Sequence, residues 1–95
     1  MVFNYMETIV EDAIDEICKS DDNYCDICKS TENISDVKAI ALNNLKPFYV
    51  TSKKGEVYGE YYKKNIKNKS LILVEVIKAF EIVKVTGHNK LTSGE

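Results

Sequence analysis

Ninety-five residues make one domain with a thin core, because a chain this short buries only about 60–65% of the surface its unfolded form exposes and often draws on a metal, a disulfide or a second subunit. Fifteen acidic against 13 basic side chains give a net charge of −2, which argues against a general nucleic-acid binder with its strongly basic face. No apolar run of about 18 residues is present to span a bilayer, and the start of the chain lacks the basic and apolar regions of a signal peptide, so a cytoplasmic protein with reduced cysteines is expected.

The first element reads as a helix from about Asn4 to Lys19. Met6, Ile9, Val10, Ala13, Ile14 and Ile17 recur at helical spacing, and Glu7, Glu11, Asp12, Asp15 and Glu16 take the other face. Asn4 is the expected N-cap, and the acidic first turn suits the helix dipole. A polar stretch over residues 20–33 then carries the cysteines. A short second helix is expected from Ser35 or Asp36 to Leu45, burying Val37, Ile40, Ala41 and Leu45. Pro47 stops it.

A hairpin follows in the reading. Pro47 to Thr51 is rich in strand formers, Glu56 to Tyr61 alternates polar with apolar, and residues 52–55 supply a turn containing glycine. An isolated two-stranded ribbon is marginal, so it must pack on a helix or pair with another chain. The last segment, Lys69 to Val85, is rich in β-branched residues, but its length favours a helix. Its charges, Glu75, Lys78, Glu81 and Lys84, form one narrow stripe. A helix this apolar is either central or an oligomer interface, with Ile77 and Phe80 as its contact residues, and a homodimer is the favoured reading.

Chemistry concentrates in Cys18, Cys25 and Cys28, spaced C-x6-C-x2-C. Cys-x-x-Cys spacing turns two thiolates onto one cation, and a third cysteine at the end of the preceding helix closes on the same ion. A structural zinc is the expected occupant. Its fourth ligand is open among His88, the carboxylates of Asp21, Asp22, Asp26 or Asp36, a water and a group from a second chain. Two other readings compete: a redox-active Cys-x-x-Cys, which lacks the preceding strand of a thioredoxin-like unit, and plain free cysteines. His88 follows Gly87, a candidate for the residue that ends the last helix, and the plainer reading is that it meets only the helix C-terminus there.

Tyr49, Tyr58, Tyr61 and Tyr62 gather near several lysines, an arrangement able to stack on a nucleotide. The plainer reading is a hairpin whose aromatics fill the core, with lysines guarding an edge strand. The chain has no arginine, so no bidentate grip on phosphate is available. No phosphate loop, nucleophile elbow or two-histidine motif is present, and catalysis is not expected.

The run of Cys25 and Cys28, then Asp36 to Leu45 with its Ala41-Leu42-Asn43 core, then Pro47, Tyr49 and Val50, then Gly55-Glu56-Val57-Tyr58, resembles the late competence development protein ComFB family. Asn4, Met6 and Glu7 at the start and His88 after the last helix fit as well, so the resemblance covers roughly residues 4–88. Here Leu45-Lys46-Pro47 stands where Leu-Pro-Pro is usual, and residues 29–35 make a longer spacer after the cysteines. The resemblance implies a mainly α protein with a small β element, an α+β domain occupying residues 1–95. It also implies a zinc bound through Cys18, Cys25 and Cys28 in a knuckle between the first two helices, a homodimer, and association with late competence in Gram-positive bacteria. The expected function is that of an adaptor or regulatory protein that binds another protein. The alternative is a cyclic-dinucleotide sensor using Tyr49, Tyr58 and the nearby lysines, a role that some members of the family resemble.

Overall fold

The computed structural model describes residues 2–51 and 64–92. Among them are four helices and a two-stranded antiparallel sheet, in the order β1 (Phe3–Asn4), α1 (Met6–Ser20), a 3-10 turn (Asp22–Tyr24), α2 (Cys25–Cys28), α3 (Thr31–Asn43), β2 (Tyr49–Val50) and α4 (Ile66–Thr92). The mainly helical fold with a small β element is as expected.

In α1 the whole apolar stripe is buried: Met6, Ile9, Val10, Ala13, Ile14 and Ile17. Glu7 sits in its first turn and Lys19 in its last, each matched to the dipole. Asn4 lies one residue further out than an N-cap, yet its Oδ1 accepts from the Met6 N–H at 3.1 Å. The same oxygen accepts from the Phe48 N–H at 2.8 Å. One side chain therefore satisfies an orphan donor of the helix and holds the strand segment beside it. The Tyr5 N–H donates to the Phe48 carbonyl at 2.7 Å, continuing the ladder in which Phe3 pairs with Val50 and Asn4 with Tyr49.

β2 thus has the chain's N-terminal residues as its described partner. The turn and second strand of the expected hairpin, with Tyr58, Tyr61 and Tyr62, lie outside the described residues.

The helix expected from Ser35 or Asp36 begins earlier, at Thr31. Ser30 caps it, its hydroxyl accepting from the Asn33 N–H at 3.2 Å. At the other end Asn44 donates its side-chain amide to the Ile40 carbonyl at 2.9 Å, three residues before Pro47 would force a stop. Val37 and Ala41 are buried as expected, Ile40 and Leu45 only partly so.

The last helix exceeds its expected span at both ends. Asn65 opens it by accepting from the N–H groups of Lys67 and Lys69's neighbour Asn68 at 3.1 and 3.3 Å. At its far end the helix continues through Gly87 to Thr92, so Gly87 does not terminate it. β-branched residues lower helix propensity by only tenths of a kcal/mol each, and packing overrides that. α4 packs chiefly on α3 and secondarily on α1. Its inner face, Ile72, Val76, Ala79, Phe80 and Val83, is buried, with Val76, Ala79 and Phe80 fully enclosed. Phe80 is therefore a residue of the subunit's own core and is not available to a second subunit. Leu71, Val74, Ile77, Ile82 and Val85 remain exposed.

Phe80 is the largest fully buried side chain. Truncating it should cost about 3–5 kcal/mol. Phe80→Ala is expected to lower the unfolding free energy obtained from urea titration by that amount, and a loss under about 1 kcal/mol would contradict its place in the core.

Candidate functional site

The cysteine segment folds back over the end of α1 and onto α4. Asp21 leaves α1 in an extended conformation and its carboxylate accepts from the Asn23 N–H at 2.9 Å, which starts the 3-10 turn. The turn delivers Tyr24 into the core and leads directly into α2, the single turn that carries Cys25 and Cys28.

Cys18 and Cys28 are joined in a disulfide, their Cα atoms 5.9 Å apart, within the ordinary bridging range. Cys25 is a free, exposed thiol. The structure thereby corrects the expectation of a zinc held by Cys18, Cys25 and Cys28. Two of the three sulfurs are spent on each other and cannot serve as thiolates, and the described residues contain no group of three or more His, Cys, Asp or Glu able to hold a metal ion. The side chain of His88 lies outside the described residues. The knuckle's task of tying α1 to the next helix is taken by the covalent bond.

Tyr24 is the residue that sequence reasoning passed over. It lies in a polar stretch, without helical partners to flag it, yet only 6% of it is exposed. Its ring stacks on Phe80 with centroids 4.7 Å apart and planes 28° from parallel. The ammonium of Lys84 lies 5.9 Å from the ring centroid. Its hydroxyl donates to a Glu81 carboxylate oxygen at 2.5 Å. That hydrogen bond to Glu81, then burial, then the negative charges of Glu81 and Asp21 push the phenol up to about 12. A buried Tyr with its hydroxyl satisfied is an anchor, and this one fastens the cysteine turn to α4.

Two further features flank this turn. Lys38 on α3 forms ion pairs with Glu7, at 3.9 Å, and with Glu11, bridging α3 to α1. Between α1 and α4 runs a groove of about 340 Å³ with an apolar floor of Ile9, Ala13 and Ile72. Lys69 on its rim lies 3.8 Å from Glu16. Of the suggested ligand-binding tyrosines, Tyr49 is 63% exposed on β2, far from any core role. No helix among the described residues is long and apolar enough to cross a membrane.

The family model for late competence development protein ComFB matches residues 3–86 of the chain. No curated protein matches it.

Two outcomes follow from this geometry. Tyr24 protonated is favoured by the fold, so its stabilising effect is complete below the ordinary tyrosine range near pH 10 and is lost as pH rises through about 12. In a tyrosinate absorbance titration Tyr24 should ionise in a late step near pH 12, and Tyr24→Phe should delete that step. A late step surviving in the variant would assign it elsewhere. Reducing the disulfide, which closes a loop of sequence separation 10, should destabilise the chain by about 2–3 kcal/mol. Thermal melts should fall with dithiothreitol and stay unchanged with EDTA; the opposite pattern would restore a metal.

Proposed function

The chain belongs to the late competence development protein ComFB family, and on that premise we propose that it is a non-enzymatic, homodimeric adaptor of late competence, its two subunits joined through the outer face of α4. The observation that supports this reading is the row of large apolar side chains left on that face. Leu71, Val74, Ile77, Ile82 and Val85 are between 43 and 59% exposed. Their spacing keeps them on one side of a straight helix, with Lys78 and Glu81 set among them, an exposed apolar face of the kind that marks a protein contact.

A two-fold interface matches a surface with itself. With the axis near Ala79 and Phe80 and the helices antiparallel, Val74 meets Val85, Ile77 meets Ile82, and Lys78 meets Glu81 of the other copy. Every apolar residue of the central stretch then finds an apolar partner, and the two charges inside the stripe find opposite ones. Fully burying such side chains stabilises an interface by about 1.5–3 kcal/mol each before the cost of association.

Catalysis forms no part of this reading. The alternative of a cyclic-dinucleotide sensor draws on the exposed ring of Tyr49. With Tyr58 outside the described residues and no arginine in the chain to clamp phosphate, the adaptor reading carries further.

The test is mass measurement by light scattering on the full chain. Wild type should run as a dimer at micromolar concentration, and Ile77→Asp should run as a monomer with unchanged helical circular dichroism. A wild-type monomer, or an Ile77→Asp dimer, would overturn the interface.

A further inference from the structure

Three cysteines meet this segment, Cys18 near the end of α1 and Cys25 and Cys28 in α2, and only Cys18 and Cys28 share a bond. We propose that Cys25 is the exchange partner of the Cys18–Cys28 disulfide, so that the turn holds its one disulfide in either of two pairings, Cys18–Cys28 or Cys25–Cys28.

The argument begins with placement. Cys25 and Cys28 open and close the single helical turn α2. Residues three apart on a helix share a face, with Cβ atoms about 5–6 Å apart, against about 3.5–4.5 Å in a disulfide. The difference is small and falls at the first residue of α2, where the preceding 3-10 backbone leaves no long helix to distort. Cys25 is exposed, so its sulfur is accessible to act as the nucleophile in the thiolate form that exchange requires. Cys28 is only half-buried, and of the two bonded sulfurs it belongs to the residue nearer in the chain.

The step balances without any outside reagent. The Cys25 thiolate, its proton given to solvent, attacks the Cys28 Sγ. The Cys25–Cys28 bond forms as the Cys18–Cys28 bond breaks, and Cys18 departs as a thiolate that takes up a proton from solvent. One disulfide and one thiol stand on each side, so nothing is oxidised or reduced overall. What changes is where the covalent restraint lies. Paired with Cys18, Cys28 straps α2 to the last turns of α1. Paired with Cys25, it restrains α2 alone and releases α1. Tyr24, the residue next to Cys25, holds Glu81 and Phe80 of α4, so the exchange takes place one residue from the anchor between the turn and that helix. This inference goes beyond the adaptor reading and does not depend on the oligomeric state.

The experiment uses the full oxidised chain at mildly alkaline pH. Samples taken over time are blocked with N-ethylmaleimide, then cut after lysine and before aspartate. Cleavage at Lys19, Asp22, Asp26 and Lys29 places each cysteine on its own peptide, and mass spectrometry reads both the linked pair and the labelled thiol. The label should move from Cys25 alone to a constant split between Cys25 and Cys18, with Cys25–Cys28 linked peptides appearing in step and at a rate independent of protein concentration. Cys25→Ser should keep the Cys18–Cys28 pair and take up no label. Label confined to Cys25 at all times, a rate that scales with concentration, or labelled Cys18 in Cys25→Ser would each overturn the proposal.

Discussion

The stacking of Phe80 under the rest of the molecule is the contact on which the other elements depend. A 95-residue chain has few side chains to spend on a core, and α4 brings a run of five to the centre: Ile72, Val76, Ala79, Phe80 and Val83. Ala79 and Ala41, both fully enclosed, have no side chain beyond Cβ, and this lets α3 and α4 approach closely. α1 closes the third side with its own apolar stripe. Because Phe80 also receives the Tyr24 ring, the same residue that centres the helices fixes the cysteine turn. Core and candidate site are thus one packing problem.

What was legible in the sequence followed from period and cap chemistry. The stripe from Met6 to Ile17 matches its burial residue for residue, because a long amphipathic pattern leaves little freedom over which face turns inward. The start of α3 was misplaced because Ser30, a good N-cap, is followed by Thr31, Glu32 and Asn33, polar residues that read as loop when no apolar residue accompanies them. The β1–β2 pairing was not legible at all. Two residues at the chain's start carry no strand signal of their own, and they are held by contacts 44 positions away in the chain, such as that of Asn4 with Phe48.

The cysteines show the limit of spacing arguments most directly. C-x6-C-x2-C fits a metal knuckle, and compartment ranked a metal above a disulfide, but neither consideration measures how near two backbones come. That distance is set by α1 ending at Ser20 and by the Asp21 turn reversing the chain, so that Cys28 returns to within 5.9 Å of Cys18 between Cα atoms. A small domain needs a strap across its thin core, and the sequence spelled out that need correctly while leaving its chemistry open. Tyr24 escaped notice for the complementary reason. Its stacking and hydrogen-bond partners, Phe80 and Glu81, both lie on α4, more than fifty residues further along.

These facts bear on why α4 divides its surface so unevenly. A helix that only needed to complete a subunit's core would carry polar residues on its outer side, as α1 does with Glu7, Glu11, Asp12, Asp15 and Glu16. α4 instead keeps Leu71, Val74, Ile77, Ile82 and Val85 outward, at the cost of exposing apolar area to water. Glu81 lies within that outer face and is held from the inside by the Tyr24 hydroxyl. A carboxylate with one oxygen committed to a buried phenol is fixed in place, so the charge on this face has a defined position as well as a defined sign. The anchor that secures the cysteine turn therefore also fixes one charge of the face proposed above as the dimer contact.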